Sequence, residues 1–413
     1  MRVCDLSVGM LLYFTGEEHV YAVLLDQQGR VQHFTLCRCA DLVPVVDRVV
    51  DVLESPYAWS PAERARVLRE FAEQSGPRLL PPAAALSSFD IITIVPHHFL
   101  HGVPFHVIKS GGQPLGTRHG IAYCSSGTLL SRCVERNRAR QFDTAAWQFP
   151  VPGDPAVPSG PVVKSCLSYG VDVLTEKNAA YRELAQTFAQ PFPEHSAVDS
   201  RSNIKIALNF ATRTAAIADA LRRPDAICLT CHGYYDTKHS HRSGLLLNGR
   251  QGVLDMRNIT VHGDTVLRIQ DHPFAEVPLR LSPNPARNEF GLIGDAEMLS
   301  TAELEVHCQT EAQLVALFGC FTGTGVLNAN DDYASHAYQW LKVGAASAVA
   351  SLWEADFPTL TDWSHRFATH WVRDRQPKAI AAREATRAQL VNNPGLVDEP
   401  ALWGSVALLG DWL

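Results

Sequence analysis

The sequence predicts an α/β fold, a mostly parallel sheet flanked by helices, and two observations carry that expectation. The first is a set of short, continuously apolar runs that end abruptly in glycine and small residues. Leu314-Val-Ala-Leu-Phe318 runs into Gly319-Cys-Phe-Thr-Gly-Thr-Gly325, and Ala226-Ile-Cys-Leu-Thr230 runs into Cys231-His232-Gly233. Such runs are strands buried on both faces. The second is the regular alternation of strand-like and helix-like segments after residue 162, the pattern of βαβ units.

Taken in order, Leu11 to Leu36 reads as a β-hairpin or meander, with Gln27-Gln-Gly-Arg30 as its second turn. A helical region from about Asp41 to Glu73 follows, interrupted near Pro56. Within it, Ser60-Pro61-Ala62-Glu63 supplies an N-cap, a proline at N1 and a first-turn acid. Asp90 to Val95 is a buried strand. His97 and His101 then stand at i, i+4, but Pro96, Gly102 and Pro104 oppose a helix there, so neither a metal site nor a cofactor is expected. The prolines and glycines between Gln141 and Pro161 mark a linker, dividing the chain into 1–150 and 162–413.

In the second part, Val162 to Leu174 is a strand, and Asn178 to Phe188 and Ala211 to Leu221 are helices. A long stretch from Arg250 to Ile293 interrupts the alternation and reads as an insertion. Leu299 to Leu304 carries the cap signal of a helix leading into the Cys320 strand, and another helix carries Ala334, Ala337, Tyr338 and Leu341 on one face, stopped by Gly344. Ala345 to Leu352 is a buried strand. Leu360, Trp363, Phe367 and Trp371 stripe a core-facing helix, and Pro377 opens the next.

Composition excludes several classes. A net charge of −7 argues against nucleic acid as the main partner. The basic cluster Arg132, Arg136, Arg138 and Arg140 has no interleaved aromatics. The apolar run Val343 to Trp353 falls far short of the roughly 20 residues a bilayer span needs. The start, Met1-Arg-Val-Cys-Asp-Leu, lacks a signal pattern, so a cytoplasmic protein with reduced thiols and no membrane association is expected.

The chemistry concentrates at the two strand ends. In an open α/β sheet, ligands bind beyond the carboxyl ends of the strands, and here one end carries His232 and the other Cys320. A free thiol with a pKa of ~8.5 needs an imidazole or another electropositive neighbour to react near neutrality. His232 is therefore the candidate base or acid and Cys320 the candidate nucleophile. Gly233 permits close approach of a substrate to backbone N–H groups. The loop from Gly319 to Gly325 lacks the Gly-Lys-Ser/Thr ending of a phosphate-binding loop.

Cys231-His-Gly233, Ser243 to Leu247, Leu299 to Glu303, Ala316 to Gly323, Gly344 to Trp353 and Trp403 to Gly410 together resemble the CHAT domain, in that family's order. The opening hairpin, Ile94-Val-Pro96 and Leu100 to Phe105 extend the resemblance weakly to the first half. The resemblance implies a caspase-like fold, with an N-terminal pseudo-caspase half and a C-terminal catalytic half, and relation to separase and gingipain. It implies a cysteine endopeptidase acting on a protein substrate, with His232 and Cys320 as the dyad. The backbone N–H groups of Gly233 and Cys320 become the oxyanion hole. This sequence departs from the family at Phe321, where Glu is common, and in the length of the 250–293 insertion.

The resemblance also implies a separate regulatory protein partner and a role in bacterial antiviral defence or programmed death. The strand Ala345 to Leu352 is expected beside the Cys320 strand, so Trp353, Glu354 and Asp356 border the cleft. Trp353 offers an apolar wall and either acid a partner for a basic residue before the scissile bond. Of the two, Asp356 is expected to carry more of that preference, although either acid could instead cap the helix near Thr359, a role Asp356 suits. The insertion, with Arg250, Arg257, Arg268, Arg280 and Arg287 as self-cleavage points, is either regulatory or a surface decoration. The alternative to an enzyme is a catalytically silent caspase-like binding or scaffold protein.

Overall fold

The structure is a computed structural model. It describes residues 6–54, 59–143, 163, 165–170, 180–197, 224–234, 243–248, 259–262, 266–269, 276–277, 283–284, 289–290, 297–327, 331 and 333–413.

The opening meander forms as the alternation requires. Strands β1 (Val8–Thr15), β2 (His19–Asp26) and β3 (Val31–Arg38) pair antiparallel, with Leu12 opposite Val23 and Val23 opposite His33. In β1 every second residue from Gly9 to Tyr13 is buried, so one face meets the core and the other faces outward. β1 then joins β4 (Ile91–Val95) in parallel, Leu11 beside Ile94.

The sheet continues through β5 (Gly120–Tyr123), β6 (Ser165–Gly170), β7 (Glu194–Ala197), β8 (Ala226–Thr230), β9 (Leu314–Leu317), β10 (Ser347–Ser351) and β11 (Val406–Gly410). These 11 strands form one sheet in the order β3-β2-β1-β4-β5-β11-β10-β9-β8-β6-β7. Seven of its neighbour pairs are parallel. Three are antiparallel: the two in the meander, and β10 with β11. The two sides of the expected division meet inside this sheet, where β11 runs parallel to β5 with Leu409 beside Tyr123.

Helices cover both faces, which is why the central strands read as continuous apolar runs. In β9, Val315 and Leu317 join the core under α1 (Cys39–Glu54) and α2 (Pro61–Gln74). Leu314, Ala316 and Phe318 join the opposite core, under α4 (Ala180–Ala189), α7 (Phe357–Ala368) and α8 (Lys378–Asn392). All five side chains are fully buried. The Trp363, Phe367 and Trp371 stripe is core packing, Trp363 stacked on Phe367 at 5.0 Å between centroids.

The remaining long helix of the first part is α3 (Gly127–Asp143). α5 (Thr301–His307) starts within the stretch that carries the cap signal, directly after a short strand, Glu297–Ser300. The helix expected from Ala334 begins two residues later. Tyr333–Ser335 pairs with Gly325–Leu327 as a hairpin, and the Ser335 hydroxyl caps α6 (His336–Lys342) by accepting from Tyr338 N–H at 3.1 Å. The backbone pairing of the hairpin outweighs the helical spacing of Ala334. Ser60 caps α2 as expected, and Glu63 closes a reciprocal capping box.

In the insertion, Ile259–His262, Val266–Ile269 and Glu276–Val277 form a small antiparallel sheet, and Pro283–Asn284 pairs with Glu289–Phe290. The linker residues 144–162, the helix expected over Ala211 to Leu221, and Arg250, Arg257, Arg280 and Arg287 lie outside the described residues.

Candidate active site

β8 and β9 are adjacent and parallel, Ala226 beside Leu314 and Leu229 beside Leu317. Their pairing runs past the last strand residue, Phe318 N–H donating to Leu229 C=O at 2.9 Å. Both chains therefore leave the sheet side by side at its carboxyl edge, one carrying Cys231-His232-Gly233 and the other Gly319-Cys320-Phe321. The nearest approach between the turns is main chain to main chain. A Cβ on Gly319 would lie 2.5 Å from the Cys231 carbonyl oxygen and 3.2 Å from Gly233 N. A Cβ on Gly233 would collide with the Cys320 carbonyl oxygen. Glycine is required at both positions by close approach. The backbone of His232 is thereby held against the Gly319–Cys320 turn.

A second brace holds the histidine strand. His232–Tyr234 pairs antiparallel with Gly244–Asn248, Gly233 opposite Leu245, and Leu245 pairs onward with Leu299. This three-stranded sheet holds the His232 main chain by strand pairing.

The cysteine turn is riveted by a residue the sequence reading passed over. Thr322 is buried, and its hydroxyl lies 3.0 Å from Leu317 C=O and 3.1 Å from Gly319 C=O, to which it donates. It also accepts from Ser351 N–H at 3.1 Å, and Gly323 N–H donates to Ser351 C=O at 2.9 Å. One side chain so joins the ends of β9 and β10 around Cys320. Between them Phe321 adopts a left-handed φ of 61°, a conformation that costs a non-glycine residue of order 1–3 kcal/mol and persists where surrounding bonds enforce it.

Cys320 is half-buried, whereas Cys231 is fully buried in the core. The neighbouring thiols thus face different environments. Burial pushes the Cys231 thiol far above the usual range, with Cys228 adding to the shift. Burial also pushes the Cys320 thiol up, to about 11, and the Glu354 carboxylate adds to it. The backbone N–H groups of Ala355 and of Cys320 itself oppose the rise by donating to the sulfur. A thiol raised this far holds its proton near neutrality, and any chemistry at it calls for a base.

β10 neighbours β9, Leu317 beside Ala350, and its continuation Trp353-Glu354-Ala355-Asp356 borders the cysteine. Trp353 is buried, its indole N–H donating to Ala401 C=O at 2.9 Å. Asp356 caps α7, accepting from Thr359 N–H at 3.0 Å and Thr359 O–H at 2.6 Å. Glu354 is the acid whose charge acts on Cys320, and it pairs with Arg64 at 3.0 Å. Nothing in the local sequence around Glu354 signals that partner.

Among the described residues, no group of three or more His, Cys, Asp and Glu is placed to hold a metal ion. His97 bonds the Thr15 hydroxyl at 2.6 Å, and His101 stacks on Tyr333 at 5.1 Å. No described helix is long and apolar enough to cross a membrane.

The CHAT domain family model matches residues 69–411. No curated protein matches the sequence. The arginine-specific cysteine proteinase gingipain R is 10% identical, over 90% of this chain and 74% of its own, with a TM-score of 0.41. The complex of the pro- and mature domains of Porphyromonas gingivalis RgpB gives 10%, 90%, 76% and 0.39 for the same quantities. The Saccharomyces cerevisiae separase–securin complex is 8% identical, over 98% of this chain but 30% of the chain matched, with a TM-score of 0.48. At such identities and scores these structures carry no information about side-chain chemistry here.

Two measurements follow from the site's geometry. Alkylation of Cys320 by iodoacetamide in the resting protein is expected to accelerate about tenfold per pH unit from pH 7 to pH 10. A rate already level at pH 8 would contradict a thiol raised to about 11. Thr322→Val leaves the Leu317 and Gly319 carbonyls and the Ser351 N–H short of a partner. It should cost about 1–3 kcal/mol in urea unfolding, with Thr322→Ser restoring most of it. Equal stability of the valine variant would remove the rivet.

Proposed function

The chain belongs to the CHAT domain family of caspase-like cysteine peptidases, and we propose that it is an endopeptidase using a dyad of Cys320 and His232. The observation that carries this reading is the main-chain contact between the Cys231–Gly233 and Gly319–Cys320 turns at the carboxyl edge of the sheet. In the proposed reaction, the Cys320 sulfur attacks the carbonyl carbon of the scissile bond. The C–S bond forms as the carbonyl electron pair moves onto oxygen, and the thiol proton passes to the His232 imidazole. The N–H groups of Gly233 and Cys320 receive the oxyanion.

Collapse of that intermediate breaks the C–N bond, and His232 gives its proton to the departing amine. The thioester is then hydrolysed by water, whose proton His232 takes, releasing the carboxylate product and the thiol. The protonated resting thiol suits this sequence, because proton transfer and attack are then coupled through the histidine rather than prepared beforehand.

The residue before the scissile bond is proposed to be Arg or Lys, recognised by Glu354, with a neutral residue as second choice. Glu354 is favoured over Asp356 because Asp356 is engaged at the start of α7. Trp353 serves the subsite by anchoring the loop on Ala401. Control by a separate protein, and a place in bacterial defence or programmed death, rest on family analogy alone. Cytoplasmic residence is supported by the nine described cysteines all being free.

Cleavage of a proteome-derived peptide library, read by mass spectrometry, tests the dyad. Cys320→Ala and His232→Ala should each abolish cleavage while leaving the fold intact by circular dichroism. Cys231→Ala should retain it, since that thiol lies in the core. Undiminished cleavage by Cys320→Ala would sink the mechanism and favour the scaffold reading.

A further inference from the structure

We propose that Arg64 is an internal occupant of the substrate subsite, holding on Glu354 the position that a substrate's basic side chain takes. The inference rests on the reading of Glu354 as the acid of that subsite. Arg64 lies in the first turn of α2, far from the nucleophile in sequence. Its Nη1 nevertheless reaches Glu354 Oε2 at 3.0 Å. Glu354 directly precedes Ala355, whose N–H faces the Cys320 sulfur, and its own charge is felt by that thiol. A guanidinium is therefore already on the carboxylate beside the nucleophile.

The placement is built rather than incidental to a long side chain. The capping box of Ser60 and Glu63 fixes the start of α2, and Arg64 N–H donates to Ser60 C=O at 3.0 Å. Further along the same helix, Arg69 donates to Asp398 C=O at 2.6 Å and pairs with Glu399. These two arginines pin α2 across segments from the far end of the chain, and the lower one ends in the subsite.

The pair is suited to being displaced. The Glu354 side chain is 42% exposed and that of Arg64 24%, and ion pairs this open to water contribute little. The contact is through a single guanidinium nitrogen to one carboxylate oxygen, so a substrate arginine able to engage both oxygens competes on favourable terms. Resting enzyme therefore accepts basic substrates at a handicap, and anything that draws α2 away removes it.

The test compares kcat/KM for two peptides differing only in Arg or Leu before the scissile bond, in wild type, Arg64→Ala, Glu354→Gln and the double variant. Arg64→Ala should raise the Arg/Leu ratio about threefold, the scale of an exposed ion pair. Glu354→Gln should lower the ratio, and the double variant should match Glu354→Gln alone. Arg64→Gln, with thermal melts, serves if the alanine variant folds poorly. An unchanged ratio in both Arg64 variants, with Glu354→Gln still lowering it, overturns the occupant while sparing the subsite. A ratio unmoved by Glu354→Gln overturns the subsite and the occupant with it. Loss of all cleavage in Cys320→Ala confirms in the same assay that the dyad is what is being read.

Discussion

The carboxyl edge of the sheet depends on one close approach, where two buried parallel strands leave together and the main chains of their turns come into contact. Gly233 and Gly319 make that approach sterically allowed. The contact couples two otherwise separate facts, that His232 follows one strand and Cys320 the other. Because β8 and β9 are in register through Leu229 and Leu317, the two residues exit at the same level. The register, carried past the strands by Phe318 N–H donating to Leu229 C=O, sets that level, and the glycines set how closely the turns approach.

Around that contact the structure spends its polar groups on rigidity. Thr322 binds the ends of β9 and β10, the Gly244–Asn248 strand braces the histidine, and Trp353 is tied to Ala401. The thiol itself is left in a setting that keeps its proton. The first part of the chain contributes through α2, whose arginines reach the loops beside the site.

The sequence made the strands legible because burial on both faces leaves an unmistakable apolar run, as in Leu314 to Phe318, and because the glycine ending locates the carboxyl edge. The Ser60 cap was equally readable, since its signal is contained in four residues. What stayed hidden depends on distant pairing. Ala334 has helical spacing with Leu341, yet it lies in a strand because Val326 sits opposite it. Thr322 looks like any turn threonine until β10 arrives beside it. The Arg64–Glu354 pair joins residues separated by 290 positions, which no local pattern encodes. Asp356 presented two roles from sequence, and the cap geometry fills one of them.

If Cys320 and His232 act as proposed, peptide cleavage passes through a thioester on Cys320. Acid quenching of the enzyme within milliseconds of mixing with a cleavable peptide, followed by intact-mass and fragment analysis, measures this directly. The expected result is an adduct equal in mass to the acyl fragment of the peptide, located on Cys320, and slow to form in His232→Ala. An adduct on another residue, or cleavage with the same burst of product in Cys320→Ala, would contradict it.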